Sequence, residues 1–170
     1  MSEPILHVVL HQPEIPGNAG AVGRTCVAVG AKLWFVRPLG FRLSDKHMRR
    51  AGLDYWEHLS WEVVDDWECL VRRLPEAGRR PWLLTKSAGI LYCDAAFQPA
   101  DVLVFGSETQ GLPRPLLAAH PDRCLRIPVR PQARSLNLSV SVGIVAFEAV
   151  RQIRAAAQRQ PGGPEPQSAR

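Results

Sequence analysis

Four stretches of this chain carry more chemistry than a connector needs. PEIPGNAGAVGRT (13–25) sets Asn18 and Arg24 among Gly17, Gly20 and Gly23. The glycines admit close backbone approach, Asn18 is a candidate helix cap, and Arg24 lies about two turns into the helix that follows. LLTKSAG (83–89) offers Thr85, Lys86 and Ser87 as donors. FGSETQGLP (105–113) brackets Glu108 between Gly106 and Gly111, where a carboxylate can serve as a base or bind backbone N–H groups. PVRPQARSLNLS (128–139) is stiffened by Pro128 and Pro131 and alternates Ser135, Asn137 and Ser139 with Leu136 and Leu138. Rigid polar walls around an apolar slot suit a flat heterocycle, while Ser139 alone would suffice to cap a following helix. None of the stretches is a GxGxxG after a strand, so a dinucleotide fingerprint is not supported.

Such loops need a scaffold that gathers them. ILHVVL (5–10), LWFV (33–36), WLLT (82–85), VLVF (102–105) and CLRIPV (124–129) are short apolar runs bounded by turn residues, as in strands buried on both faces. Helices are expected over about 19–29, over the basic SDKHMRRAG (44–52), over 65–74, from Pro113, and over 139–156. In the 65–74 segment Trp67, Leu70, Val71 and Leu74 keep helical spacing, with acids first and arginines last. The alternation predicts an α/β domain, a mostly parallel sheet flanked by helices, with ligands gathering beyond the carboxyl ends of its strands.

At 170 residues one domain is expected, over 1–156, followed by a disordered tail at 157–170 that lacks apolar anchors. The net charge is +5, with arginine eighteen times against lysine three times. That balance favours a polyanionic partner, although coding bias produces the same composition. Cys26, Cys69, Cys93 and Cys124 form no CxxC, and His7 and His11 lie in and just after a strand, where a four-residue spacing does not converge; no metal site is expected. The apolar run before His11 is too short for a signal peptide or a membrane span, so the protein is expected to be cytosolic, with no membrane partner.

The spacing of the loops carries a resemblance. NxGxxxRT near the start, FGxExxGLP in the second half and IP…SLNLSxS before a terminal helix resemble the three motifs of the SPOUT RNA 2'-O-methyltransferases. PEIPGNAG, AGLDYWEH and RSLNLS further resemble the small tRNA (cytidine/uridine-34) 2'-O-methyltransferases, and the similarity runs from about residue 5 to 153. The resemblance implies a C-terminal deep trefoil knot, which the residue pattern itself does not reveal. It implies S-adenosyl-L-methionine as methyl donor, held at 84–87, 106–111 and 127–138, with Leu84, Thr85, Gly106, Glu108, Ile127, Pro128, Ser135 and Leu136 as its binding residues. It implies a homodimer with the site at the interface, Arg24 reaching the other protomer's site. The terminal-helix stripe Val142, Val145, Ala149, Val150 and Ile153 is either part of that interface or plain core. Phe147 stands where some relatives carry Tyr.

The implied reaction is in-line displacement of a sulfonium methyl by a ribose hydroxyl, which needs alignment, exclusion of water and help in losing a proton. Arg24 and Asn137 are the candidate catalytic residues. An arginine is an odd base, since its side chain stays protonated; stabilising the alkoxide is the favoured role, with tuned deprotonation the alternative. Asn137 either orients the ribose or fixes its loop. Asn18, Lys46, Arg49, Arg50 and Arg134 are candidate contacts for a tRNA anticodon stem-loop. Other readings are a different tRNA or ribosomal RNA target and a non-catalytic RNA-binding module of the same fold.

Overall fold

A computed structural model describes residues 3–43, 53–74 and 80–159. Seven strands are described: β1 (His7–His11), β2 (Lys32–Val36), β3 (Trp61–Val64), β4 (Trp82–Leu84), β5 (Ile90–Leu91), β6 (Val102–Phe105) and β7 (Cys124–Arg126). The α-helices among the described residues are α1 (Pro16–Val29), α2 (Trp67–Arg73), α3 (Arg114–Ala119) and α4 (Leu138–Arg159). All pairings are parallel and the strand order is β3-β2-β1-β6-β4-β7-β5.

Strand periodicity divides the apolar residues between two faces. Val8 and Leu10 of β1, Leu33 and Phe35 of β2 and Leu103 and Phe105 of β6 pack with α1 and α4, through Ala19, Val22, Val142, Val145 and Ala149. Their neighbours Val9, Trp34, Val36, Val102 and Val104 face the other way, onto Leu70, Leu74 and Leu112. Burial on both faces accounts for the near-continuous apolar runs.

Several boundaries differ from expectation, each for a local reason. α1 opens at Pro16, with Ile15 before it, so Asn18 is inside the first turn rather than at the cap. Proline tolerates the first helical position because its missing N–H had no partner to find there. α3 begins at Arg114, one residue after Pro113. α4 starts at Leu138 and runs to Arg159, three residues past the expected end of the domain. Its cap is Asn137, not Ser139: Asn137 Oδ1 accepts from Ser139 N at 2.8 Å and Val140 N at 3.4 Å. The stripe Val142, Val145, Ala149, Val150 and Ile153 lies in this chain's own core, so it is not free to pair with another copy.

β3 and β5 were not expected from the sequence. Glu62 interrupts the apolar pattern of β3, an edge strand, where it ion-pairs with Lys32 of β2 and with Arg73 at 3.1 Å. β5 is two residues long and, among the described residues, pairs only with β7. Cys26 and Cys124 are buried and Cys69 and Cys93 are not, and none is disulfide-bonded. The helix expected over 44–52 and residues 160–170 of the expected tail lie outside the described residues. No described helix is long and apolar enough to cross a membrane.

Candidate methyl-donor site

After β1, β2 and β3 the chain moves to one side of the sheet, and β6 returns to pair beside β1 with β4 on its other flank. Loops leaving β1 and β6 therefore diverge at the carboxyl edge, and an open parallel sheet holds ligands at such a switch point. A cavity of about 650 Å³ lies there, within the range of small-molecule sites. Its walls are residues 84–87 after β4, 105–112 after β6, and 125–138 around and after β7, with Ile15 and Asn18 at one side.

The 105–112 wall is a backbone fold closed on itself. Gly111 N donates to Ser107 O at 2.9 Å, and Gln110 N to Ser107 Oγ at 3.2 Å. Gly111 holds φ 70, in the left-handed region. A Cβ on Gly106 would run into the backbone of Gly111 and Leu112, so only glycine permits this closure.

Three polar side chains tie the walls together. Glu108 Oε2 accepts from Glu14 N at 2.8 Å, and its Oε1 from Ile15 N at 3.2 Å and from Asn18 Nδ2 at 2.8 Å. The carboxylate thus serves the N-terminus of α1, where the helix's own sequence provides no side-chain cap and the macrodipole favours negative charge. Asn18, 8% exposed, uses its other end to accept from Asn137 Nδ2 at 2.9 Å. Asn137 Oδ1 meanwhile caps α4. A continuous hydrogen-bonded chain runs from the start of α4 through Asn137, Asn18 and Glu108 to the start of α1. With three donors already on its oxygens, Glu108 is engaged as an anchor rather than poised as a base.

A second clasp runs the opposite way, with the Glu14 carboxylate accepting from Thr109 N at 3.1 Å and Thr109 Oγ1 at 2.6 Å. Sequence reasoning passed over Glu14, although its place in PEIPGN was the available signal. It also passed over Ile15, Arg114 and Val129, which border the cavity.

Of the expected site residues, Asn18, Leu84, Thr85, Gly106, Glu108, Ile127, Ser135, Leu136 and Asn137 come together around the cavity. Pro128 does not line it, and its neighbours Ile127 and Val129 do. Arg134 is exposed outside the lining. Arg24 is exposed on α1 and also absent from the lining of its own chain's cavity. Lys46, Arg49 and Arg50 lie outside the described residues. Among the described residues, no group of three or more His, Cys, Asp or Glu side chains could hold a metal ion.

The model of the SpoU rRNA methylase family matches residues 5–147. The chain belongs to this SpoU family. Relatives within it include the tRNA (cytidine(34)-2'-O)-methyltransferase of Methylovorus glucosotrophus, 45% identical over 85% of this chain and 94% of that protein. The Burkholderia ambifaria protein of the same name is 47% identical over 87% of this chain and 96% of its own length. A solved structure described as giving insight into 2-OH methylation of C/U34 on tRNA superposes with a TM-score of 0.83 at 44% identity, covering 88% of this chain and 97% of that one. A more distant structure, an AdoMet-bound rRNA methyltransferase from Sinorhizobium meliloti, gives a TM-score of 0.77 at 28% identity, over 88% of this chain and 57% of that one.

Proposed function

We infer that this chain transfers a methyl group from S-adenosylmethionine to the ribose 2'-hydroxyl of the wobble pyrimidine, position 34, in the anticodon loop of tRNA. The observation that carries the reading is the convergence of the 84–87, 105–112 and 125–138 segments on one cavity, in a chain near 45% identical to enzymes named for that reaction.

The cavity fits such a donor in size and in chemistry. Leu84, Ile127 and Leu136 give apolar surface for an adenine ring, and the Gly106 and Ser135 segments bring backbone groups close to it. Once bound there, S-adenosylmethionine supplies an electrophilic methyl on a sulfonium. The protein's own contribution is to hold the walls rigid, exclude water and present the ribose oxygen in line. The Asn137–Asn18–Glu108 chain supports this by fixing two helix starts and two cavity walls relative to each other. DNA, lacking the 2'-hydroxyl, offers no acceptor.

Arg24 is assigned to the cavity of a second protomer. Its exposure and its absence from its own cavity's lining support that placement. The shape of the surface supports a homodimer: Val140, Ile144 and Phe147 fall on one side of α4 at helical spacing, with Val140 49% and Phe147 56% exposed. Ile15, at the cavity's border, adds another apolar side chain, 48% exposed. In this arrangement the protonated guanidinium faces the ribose 2'-oxygen and stabilises its developing negative charge as the hydroxyl proton passes to water, and Asn137 holds its loop rather than reacting. Arg134 and the basic residues Lys46, Arg49 and Arg50 are assigned to RNA phosphates. The family's trefoil knot and a cytoplasmic location complete the proposal.

The test is methyl transfer from labelled donor to total tRNA, followed by mapping of the modified nucleotide. Label at the 2'-oxygen of residue 34 is expected. Label at another RNA position would keep the chemistry and discard the target, and failure to bind the donor at all would leave only an RNA-binding module.

A further inference from the structure

On the other side of the 107–114 segment is a second cavity, of about 490 Å³, where the residues after β1 and after β2 meet that segment. Ser107, Gln110, Gly111, Leu112 and Arg114 border both cavities, so the two share a wall. We propose that this second cavity seats the base of the nucleotide being methylated, with the Gln12 and Gln110 carboxamides reading its edge and Arg114 holding an adjoining phosphate. The proposal rests on the methyl-transfer reading of the first cavity.

The second cavity has a fixed frame and uncommitted polar groups. Gly40 N donates to Pro13 O at 2.9 Å, and a Cβ on Gly40 would stand 2.7 Å from Glu14 Cα, so the two loops lie in direct backbone contact. Glu14 is occupied by Thr109. The side chains of Gln12, Gln110 and Arg114 have no hydrogen bond or ion pair among the described residues. Gln12 also holds φ 55, a left-handed conformation uncommon outside glycine, fixed by its N–H donating to Val36 O at 2.9 Å. Strain of this kind concentrates where a side chain must be aimed at a ligand. Leu39, Pro38 and Leu112 add apolar surface for a flat ring.

The chemistry of a carboxamide suits a site that takes either pyrimidine. Cytosine offers an acceptor at N3 beside a donor at N4, and uracil offers the reverse. An amide carries one donor group and one acceptor, and a half-turn about its last bond exchanges them. Two glutamines therefore satisfy both bases without choosing between them. Arg114, bordering both cavities, is placed where the backbone would pass from one to the other, and phosphate contacts of this sort position without specifying.

Steady-state methylation of anticodon stem-loop RNA carrying C or U at the wobble position tests this, alongside calorimetry with S-adenosylmethionine. Gln12→Ala, which lies outside the donor cavity, is expected to raise KM for both RNAs roughly tenfold or more while leaving donor affinity within twofold, and Gln110→Ala, at a residue shared with the donor wall, to raise KM likewise. Gln12→Asn, suited to the same backbone but shorter by a methylene, should move KM in the same direction. Arg114→Ala should reduce the salt dependence of RNA affinity by about one unit of log–log slope. Unchanged KM in the glutamine variants, with wild-type wobble methylation intact, overturns the base seat and leaves the proposed reaction standing. Parallel loss of donor affinity in Gln12→Ala assigns that residue to the first cavity's structure and also overturns it. If the wild-type protein does not methylate the wobble ribose, the reaction fails and the base seat falls with it.

Discussion

Asn137 donates its side-chain amide to Asn18 at 2.9 Å, joining residues 119 apart in the chain. The two amides are each used at both ends: Asn137 caps α4 with its oxygen, and Asn18 passes its own N–H to Glu108. Three motif segments that look independent in sequence are thus one hydrogen-bonded unit. Replacing Asn137 by Ala should remove a helix cap and leave the buried Asn18 oxygen unpaired. The expected cost is about 1–3 kcal/mol, read as a lower midpoint in urea unfolding with little change in m-value. Donor affinity should fall in the same variant, because the 135–138 wall loses its anchor.

Glu108→Gln separates an anchoring carboxylate from a base. The amide retains shape but replaces one acceptor by a donor, facing either the Glu14 N–H or the Ile15 N–H and the Asn18 amide. A loss of about 1–2 kcal/mol in stability with weakened donor binding is expected. Unchanged stability with abolished turnover would point instead to proton abstraction by Glu108.

Arg24 is tested by mixing subunits. Arg24→Lys retains charge but loses the planar fork, and most activity should go with it. If Arg24 acts across a dimer, an inactive Arg24→Ala protein mixed with a protein disabled in the donor cavity should regain up to about a quarter of wild-type activity by statistical pairing, since one intact composite site forms in each heterodimer. No recovery with demonstrated subunit exchange would place Arg24 in its own protomer's site.

Gly106→Ala should be more damaging than an ordinary loop substitution, because the new Cβ meets the backbone of Gly111 and Leu112 and not a movable side chain. Loss of donor binding in calorimetry, with far-UV circular dichroism retained, is the expected pattern. Wild-type affinity would mean that the 106–111 fold is not needed to hold the donor.

Stability should depend on pH through two buried histidines of β1. Trp34 Nε1 donates to His7 Nδ1 at 3.0 Å, which requires that nitrogen to be unprotonated. Burial, with Lys32 nearby as the lesser cause, lowers the His7 pKa from 6.5 to about 4. Burial lowers that of His11 too, partly opposed by a backbone hydrogen bond. The unfolded chain therefore binds more protons between these limits. For His7 this contribution is fully present above about pH 6.5 and is lost as pH falls toward about 4, at up to about 1.4 kcal/mol per pH unit, and His11 acts in the same direction. Urea unfolding at pH 7.5 and 5.5 checks the slope, which His7→Gln should reduce.

How much of this was legible in the sequence depends on the range of the interaction concerned. Buried parallel strands announce themselves as short apolar runs, so β1, β2, β4, β6 and β7 could be found. β3 could not, because Glu62 breaks its run and is satisfied only by Lys32 and Arg73 from other elements. The site's walls were readable because glycines and prolines mark where backbone must turn sharply. The wiring between them was not. Asn18 and Ser139 were assigned as helix caps on local grounds, yet α1 is served by Glu108 from 90 residues away and α4 by Asn137. An apolar stripe on α4 likewise says that something covers it; only the folded chain identifies its own α1 and sheet as the cover.

The central claim is that segments 84–87, 105–112 and 125–138 enclose one methyl donor. The most direct measurement is a crystal structure of the protein with S-adenosylhomocysteine, the demethylated product. The ring is expected against Ile127 and Leu136, with the sulfur-bearing end beside the Gly106–Gly111 fold and the Asn137–Asn18–Glu108 chain unbroken. The product bound elsewhere, or those three walls too far apart to touch it together, would contradict the account.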